Sequence, residues 1–216
     1  MVHDFLPIWS VFITSLVSLF VILDPLGNVF PYLVLTAERP PADTRKVAGR
    51  ACVYSFLILA VFALAGRFII AFFGISLAAF QIAGGCILFR ISIDMIQGRG
   101  HFNRLDTSSS LKAEEYGDIA LVPLAVPLMA GPGCITTVLV LTSQAGTPAA
   151  SLSILAAAVI ILVVAYLCFI YADRILALIK ESSLRLLTRI MGLILTALAV
   201  QFIIQGLKSA FPLLAQ

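Results

Sequence analysis

Charge is scarce in this 216-residue chain. Only 12% of its residues are Asp, Glu, Lys or Arg, where a water-soluble domain carries roughly a quarter. Histidine is scarcer still: His3 and His101 are the only two. They occupy a terminal and a loop position, so metal ligation and acid–base chemistry are not expected of them. No GxSxG or HExxH pattern occurs, and no His lies within an apolar stretch, so an intramembrane enzyme lacks its nucleophile–base pair or its metal cluster. No enzymatic activity and no cofactor are expected. The absence of GxxxxGK[ST] excludes ATP-driven transport by this chain. Cys52, Cys86, Cys134 and Cys168 stand singly in apolar surroundings, without CxxC or Cys/His spacing. They read as small apolar packing residues. Met1-Val2-His3-Asp4 lacks the basic start of a cleaved signal peptide, and the chain leads from there straight into an apolar segment.

What remains is apolar. Hydrophobic residues make up 61% of the chain, and mean hydropathy is +1.10. A water-facing surface cannot accommodate that excess, so it must face lipid. The expected class is an all-α integral membrane protein forming a single transmembrane domain over 1–216. A helix needs about 20 apolar residues to cross the hydrocarbon core. Six segments qualify: about 8–36, 48–73, 76–97, 118–143, 150–172 and 186–208. Lipid leaves no acceptor for unpaired backbone, which favours helices, and the alternation of a membrane barrel is missing.

Basic residues orient the spans. Arg39, Arg45, Lys46 and Arg50 follow the first span, Arg99, Arg104 and Lys112 the third, and Arg174, Lys180, Arg185 and Arg189 the fifth. Only Arg67 and Lys208 lie on the other side, with Arg90 inside span three. Both termini are therefore expected outside (periplasmic in a Gram-negative cell), in a multi-pass inner-membrane protein with cytoplasmic basic loops. The segment about 99–117, with Thr107-Ser108-Ser109-Ser110 and Glu114-Glu115, reads as a polar cytoplasmic linker between two halves.

Those halves, about 1–98 and about 118–216, look duplicated. Residues 24–36 (DPLGNVFPYLVLT) align with 130–142 (AGPGCITTVLVLT), matching Gly27 to Gly133 and the LVLT blocks to each other. Residues 82–98 align with 190–206 at nearly the same offset, with Gly84 on Gly192 and Gly98 on Gly206. Each half has three spans, an odd number, so the second copy must be inverted relative to the first.

Spans one and four each carry a break. Leu23-Asp24-Pro25-Leu26-Gly27-Asn28 places a carboxylate near mid-depth, beside a proline that blocks a helical carbonyl and a glycine that frees the backbone. Half-helices are expected over about 8–23 and 28–36. Pro123, Pro127, Gly131, Pro132 and Gly133 break the fourth span, with its second half starting near Cys134. A single break is an ordinary proline kink. Two at repeat-equivalent positions point to a midplane site.

The half-helices starting at Asn28 and Cys134 are expected to aim free N–H groups at the membrane centre, where they attract a carboxylate. Asp24 suits an ammonium group or a proton. Together these fit a small zwitterion, an α-amino acid. Asn28, Thr136 and Thr137 can add hydrogen bonds, although back-bonding within the helix is an equal alternative for the threonines. Ala130, Gly131 and Gly133 leave room for a ligand of limited size. Arg90 and Asp94 share a face of span three, as a snorkelling ion pair or, alternatively, a gate or proton relay. Gln81, Gln97, Gln201 and Gln205 read as interhelical hydrogen-bonders.

DPLGN with its LT-ended half-helix, VPLAVPLMAGPG-x-IT, and RIMGLILTALAVQFIIQG together resemble the MarC family over essentially the whole chain. That family comprises six-span bacterial and archaeal membrane proteins, also grouped as small neutral amino-acid transporters. The resemblance implies transport of glycine- or alanine-like substrates bound between Asp24, Pro25, Gly27 and Asn28 on one side and Ala130, Gly131, Gly133 and Cys134 on the other. Coupling to H+ or Na+ is the accompanying expectation, with Asp24, Arg90 and Asp94 as coupling or gating residues. The residue after Pro132-Gly133 is Cys134, and no family role is carried to it. An ion or small-solute channel is the alternative, since half-helices also build pores, as is a membrane protein without transport activity. No nucleic-acid partner is expected. Oligomeric state is not legible.

Overall fold

The computed structural model describes residues 8–37, 39–98, 119–145, 147–178 and 181–211. The linker at about 99–117, with His101, Arg99, Arg104 and Lys112, lies outside the described residues, as do His3 and Lys180. Among the described residues the chain is helical throughout, without a strand. Helix α1 spans Ile8–Leu23, α2 Val29–Thr36, α3 Pro41–Phe72 and α4 Leu77–Ile96. A wide-turn helix, π1, spans Ala120–Met129. It is followed by α5 (Pro132–Ala145), α6 (Pro148–Ile170), α7 (Ala172–Leu178) and α8 (Glu181–Ala210).

Four stretches are long and apolar enough to cross a membrane: Ala42–Gly66, Leu77–Ile96, Pro148–Ile170 and Leu186–Ala210. They fall on the second, third, fifth and sixth expected spans. The first expected span falls on the shorter apolar helix Ile8–Leu23 plus α2, and the fourth on π1 plus α5. Local signals set the helix starts. The hydroxyls of Ser76 and Thr147 accept the N–H groups of Ala79 and Ala150 at 3.1 and 3.3 Å. Pro41 and Pro148 open α3 and α6, where a missing N–H costs nothing.

The faces of α3 show how the bundle is partitioned. Ala48, Ala51, Ser55, Leu59 and Ala63 recur every three or four residues and are buried. Val53, Leu57, Val61, Leu64, Phe68 and Phe72 recur in the same way on the opposite side and are exposed, Phe68 at 74%. A helix that is apolar on both sides, with small residues inward and large ones outward, suits a lipid surround.

The longest seam joins α4 and α8. A methyl group added at Gly206 would lie 2.9 Å from the Ala78 carbonyl oxygen. One at Gly85 would lie 2.8 Å from that of Ala199, and one at Gly192 3.1 Å from that of Ser92. Residue numbers rise along one helix as they fall along the other, so the two run antiparallel. Glycine permits this approach because backbone meets backbone. Thr196 Oγ1 donates to Ser92 Oγ at 2.9 Å within the same seam. Helices α3 and α6 also run antiparallel: Cys52 Sγ donates to the Leu162 carbonyl at 3.5 Å, and Gly49 faces Tyr166.

Candidate functional site

The first break is a single tight turn. Asp24 takes a left-handed φ of +44°, the only positive φ of a non-glycine among the described residues. Aspartate is one of the few side chains that enter this region at modest cost. The turn is then closed by its own side chains. Asp24 Oδ1 accepts the Gly27 N–H at 3.0 Å, and Asn28 Nδ2 donates to the Leu23 carbonyl at 2.6 Å. The Asn28 N–H reaches the Asp24 carbonyl at 3.0 Å, and the Val29 N–H reaches that of Leu26 at 3.2 Å. A Cβ at position 27 would run into the Asp24 carboxylate, so only glycine lets the chain fold over it.

This corrects one expectation. The N–H groups at the start of the second half-helix are not free, because the turn uses them. What the turn leaves over is acceptors. Asp24 Oδ2 and Asn28 Oδ1 are buried and have no hydrogen-bond partner among the described residues. Asp24 is 3% exposed and Asn28 fully buried. Pro25 is buried beside them, and Gly27 is half-buried.

The second break is built differently. Val122 and Val126 are extended (φ −132° and −126°, ψ 122° for both) inside π1. Each directly precedes a proline, whose ring disfavours a helical predecessor. The backbone compensates with wider turns: the Leu124 N–H reaches Ile119 O at 3.3 Å, and the Ala130 N–H reaches Ala125 O at 2.8 Å. Helix α5 then begins at Pro132, two residues before the expected start. Its first amide bonded to the backbone is that of Ile135, donating to Gly131 O at 3.1 Å. The Gly133 and Cys134 N–H groups have no acceptor among the described residues.

The two breaks are neighbours. Helices α1 and α5 pack together, and a Cβ at Gly133 would lie 3.2 Å from Ile22 Cγ2, two residues before Asp24. The same Cβ would lie 2.7 Å from Leu88 Cδ2 of α4. Ala130, Gly131, Gly133 and Cys134 are all buried here. Thr136 and Thr137 are 3% and 0% exposed. Thr136 packs on Gly84, and Thr137 Oγ1 has no partner among the described residues, so it does not bond back to its own helix. Arg90 is exposed and Asp94 half-buried. They lie off the α4 face (Gly84, Leu88, Ile91) that meets α5.

Gln81 is a further buried polar residue of α4. It is 3% exposed and its Oε1 has no partner among the described residues. It stands one turn before Gly84, on the α4 face towards α5. Sequence offers only a glutamine near a glycine pair. The fold is needed to bury it.

The family profile described as "MarC family integral membrane protein" matches residues 9–211. The chain belongs to the MarC family. Its relatives include a UPF0056 membrane protein of Methanocaldococcus jannaschii, 41% identical over 92% of this chain and 97% of its own. The UPF0056 membrane protein YvbG of Bacillus subtilis is 32% identical over 95% and 98%. One from Buchnera aphidicola is 33% identical over 95% and 96%. No solved structure matches. The relatives' names describe membrane proteins, so for this MarC family chain any more specific chemistry rests on its own geometry.

Proposed function

We propose that this MarC family protein is a secondary transporter of small neutral amino acids such as glycine or alanine, bound between its two breaks. One observation carries the reading. The breaks lie side by side, and one offers buried acceptors (Asp24 Oδ2, Asn28 Oδ1) where the other offers N–H groups without acceptors (Gly133, Cys134). An ammonium suits the first, and a carboxylate suits the second at the positive end of α5. An α-amino acid carries both within a few ångströms. Thr137 adds hydrogen-bonding capacity, and Ala130, Gly131 and Gly133 keep the space small. No covalent chemistry is assigned to the chain.

In this reading α1–α2 and π1–α5 are broken spans, giving six in all, arranged as two inverted three-helix repeats (1–98 and 118–216) joined by the linker. Three features support it. The repeat-equivalent threonines Thr36 and Thr142 both donate to the carbonyl four residues back, each at 2.8 Å. Helices α4 and α8, equivalent in the alignment, run antiparallel, as do α3 and α6. The packing pairs also exchange under the repeat: α4 with α5 corresponds to α8 with α1, and α6 with α1 corresponds to α3 with π1 and α5. The basic connections then face the cytoplasm and both termini the outside of the inner membrane.

Thermal unfolding of the purified protein against all twenty amino acids, with and without sodium and at two pH values, tests the site. A ligand well above its dissociation constant raises the melting temperature. The expected result is stabilisation by glycine and alanine, lost in Asp24→Asn. A proteoliposome assay separates carrier from pore: counterflow accelerated by substrate on the far side supports the transporter, and flux indifferent to it refutes it. Proton or sodium dependence of that counterflow assigns the coupling ion.

A further inference from the structure

Helices α3 and α6 enclose two grooves that merge end to end along their antiparallel seam. The first, of about 520 Å³, carries Arg45, Lys46, Arg50 and Tyr54 on its rim. The second, of about 360 Å³, is walled by Phe56, Val159, Leu162 and Val163 and presents only apolar surface. Gly49, Val53 and Tyr166 line both, so the basic mouth runs without interruption into the apolar trough. Arg45 and Phe56 are eleven helical steps apart, about 16 Å at 1.5 Å each.

The mouth is positive. Arg45, Lys46 and Arg50 stand at it, and Lys46 Nζ touches Asp43 at 3.1 Å. Arg50 Nη2 donates to Tyr54 Oη at 3.1 Å and lies 5.8 Å from its ring centroid, so its guanidinium is held over the opening. Two arginines, a lysine and tyrosine hydroxyls supply forked and point donors suited to a phosphate diester. Tyrosine is also the residue of the membrane interface. The trough is open sideways, since Val53 is 56% exposed and its neighbours on the outer face of α3 are likewise exposed apolar residues. Gly49 leaves the junction clear: a Cβ there would meet only Tyr166, at 3.7 Å.

We propose that the α3–α6 groove is a binding site for an anionic phospholipid, its phosphate held by Arg45, Lys46 and Arg50 and an acyl chain lying in the trough below. A free phosphate would satisfy the mouth and leave the trough unused. A zwitterionic lipid would fill the trough but bring a cation of its own to the basic mouth. The lipid belongs to the leaflet on the side of the basic connections, and the site is separate from the two breaks.

The test is thermal unfolding of the full-length protein in micelles doped with phosphatidylglycerol, with phosphatidylcholine, or with inorganic phosphate at millimolar concentration. Phosphatidylglycerol should raise the melting temperature by several degrees in a saturable manner, and the other two should not. A basic residue near an anionic lipid surface contributes about fivefold in affinity. The triple variant R45Q/K46Q/R50Q should therefore weaken the apparent affinity at least about tenfold. Gly49→Leu fills the junction without a backbone clash and improves helix propensity. It should weaken binding comparably while leaving the lipid-free melting temperature in place. If the triple variant does not fold, R50Q and Gly49→Leu alone decide the matter. Equal stabilisation by phosphatidylcholine, full stabilisation by phosphate alone, or a phosphatidylglycerol effect that survives these variants would overturn the assignment.

Discussion

The sequence alignment pairs the two breaks, yet they are made by different chemistry. At Asp24–Asn28 side chains repair the backbone: a carboxylate takes the Gly27 N–H and an amide caps the Leu23 carbonyl. At Val122–Cys134 prolines spread the backbone, and the segment has no carboxylate or amide side chain to repair it. The first turn ends with surplus acceptors and the second with surplus donors. A site formed from two unlike ends suits a ligand with two unlike ends. A pore for a single ion would have no need of the asymmetry.

The largest test of that contrast sets Asp24→Asn against Cys134→Ala. Removing the negative charge from the acceptor side should lower alanine counterflow about a hundredfold or more, since a charged hydrogen bond and its orientation are both lost. The fold should survive, because an uncompensated buried carboxylate becomes a neutral isostere. Cys134→Ala removes one buried sulfur from the donor side, where the backbone does the binding, and should change counterflow less than about threefold. Equal losses in the two variants would erase the distinction between the breaks.

Next in size is the pair Gly27→Ala and Gly133→Ala. The added methyl at 27 displaces the Asp24 carboxylate, which is fixed by its bond to the Gly27 amide. Overpacking of this kind costs about 1–3 kcal/mol. At 133 the nearest atom is the end of the Leu88 side chain, 2.7 Å away, which can rotate aside. Chemical unfolding should rank Gly27→Ala as the more damaging, and the reverse order would show the second break to be the tighter one. Asn28→Ala should come after it at about 1–2 kcal/mol, the cost of leaving the buried Leu23 carbonyl without its donor. Asn28→Gln should recover part of that loss. An alanine variant as stable as the parent would mean that Asn28 does not close the turn.

The breaks are readable in the sequence because proline and glycine act locally. Pro25 and Gly27 lie in the gap between α1 and α2, Pro123 and Pro127 inside π1, and Pro132 at the start of α5. The extended φ of Val122 and Val126 results from the proline after each. What happens inside the first turn is not readable. Sequence predicts free N–H groups at Asn28, and the structure spends them on Asp24 and Leu26, because a left-handed aspartate reverses the chain onto its own carboxylate. Gln81 is illegible for a different reason. Its significance depends on which face of α4 meets α5, and in a segment that is apolar on every side no periodicity marks that face. The α4–α8 seam is half legible: Gly85 and Gly192 announce close packing, but only tertiary contacts reveal that Gly192 meets Ser92 and Gly206 meets Ala78.

The smallest effect is also the most diagnostic, because its sign differs between stability and binding. Thr137 is fully buried on the donor side, and its hydroxyl has no partner among the described residues. Thr36 and Thr142, by contrast, bond back to their own helices. Replacing a buried hydroxyl that bonds to nothing with a methyl group relieves its desolvation. Thr137→Val should therefore raise the ligand-free unfolding free energy by up to about 1 kcal/mol, while Thr142→Val lowers it. If the hydroxyl is held ready for substrate, the same Thr137→Val protein should show a smaller melting shift with alanine than the parent does. A structural hydroxyl would produce the opposite pair of signs, a loss of stability with the alanine shift intact. One variant, measured with and without ligand, thus decides whether the donor side of the second break extends from the Gly133 and Cys134 amides into the second turn of α5.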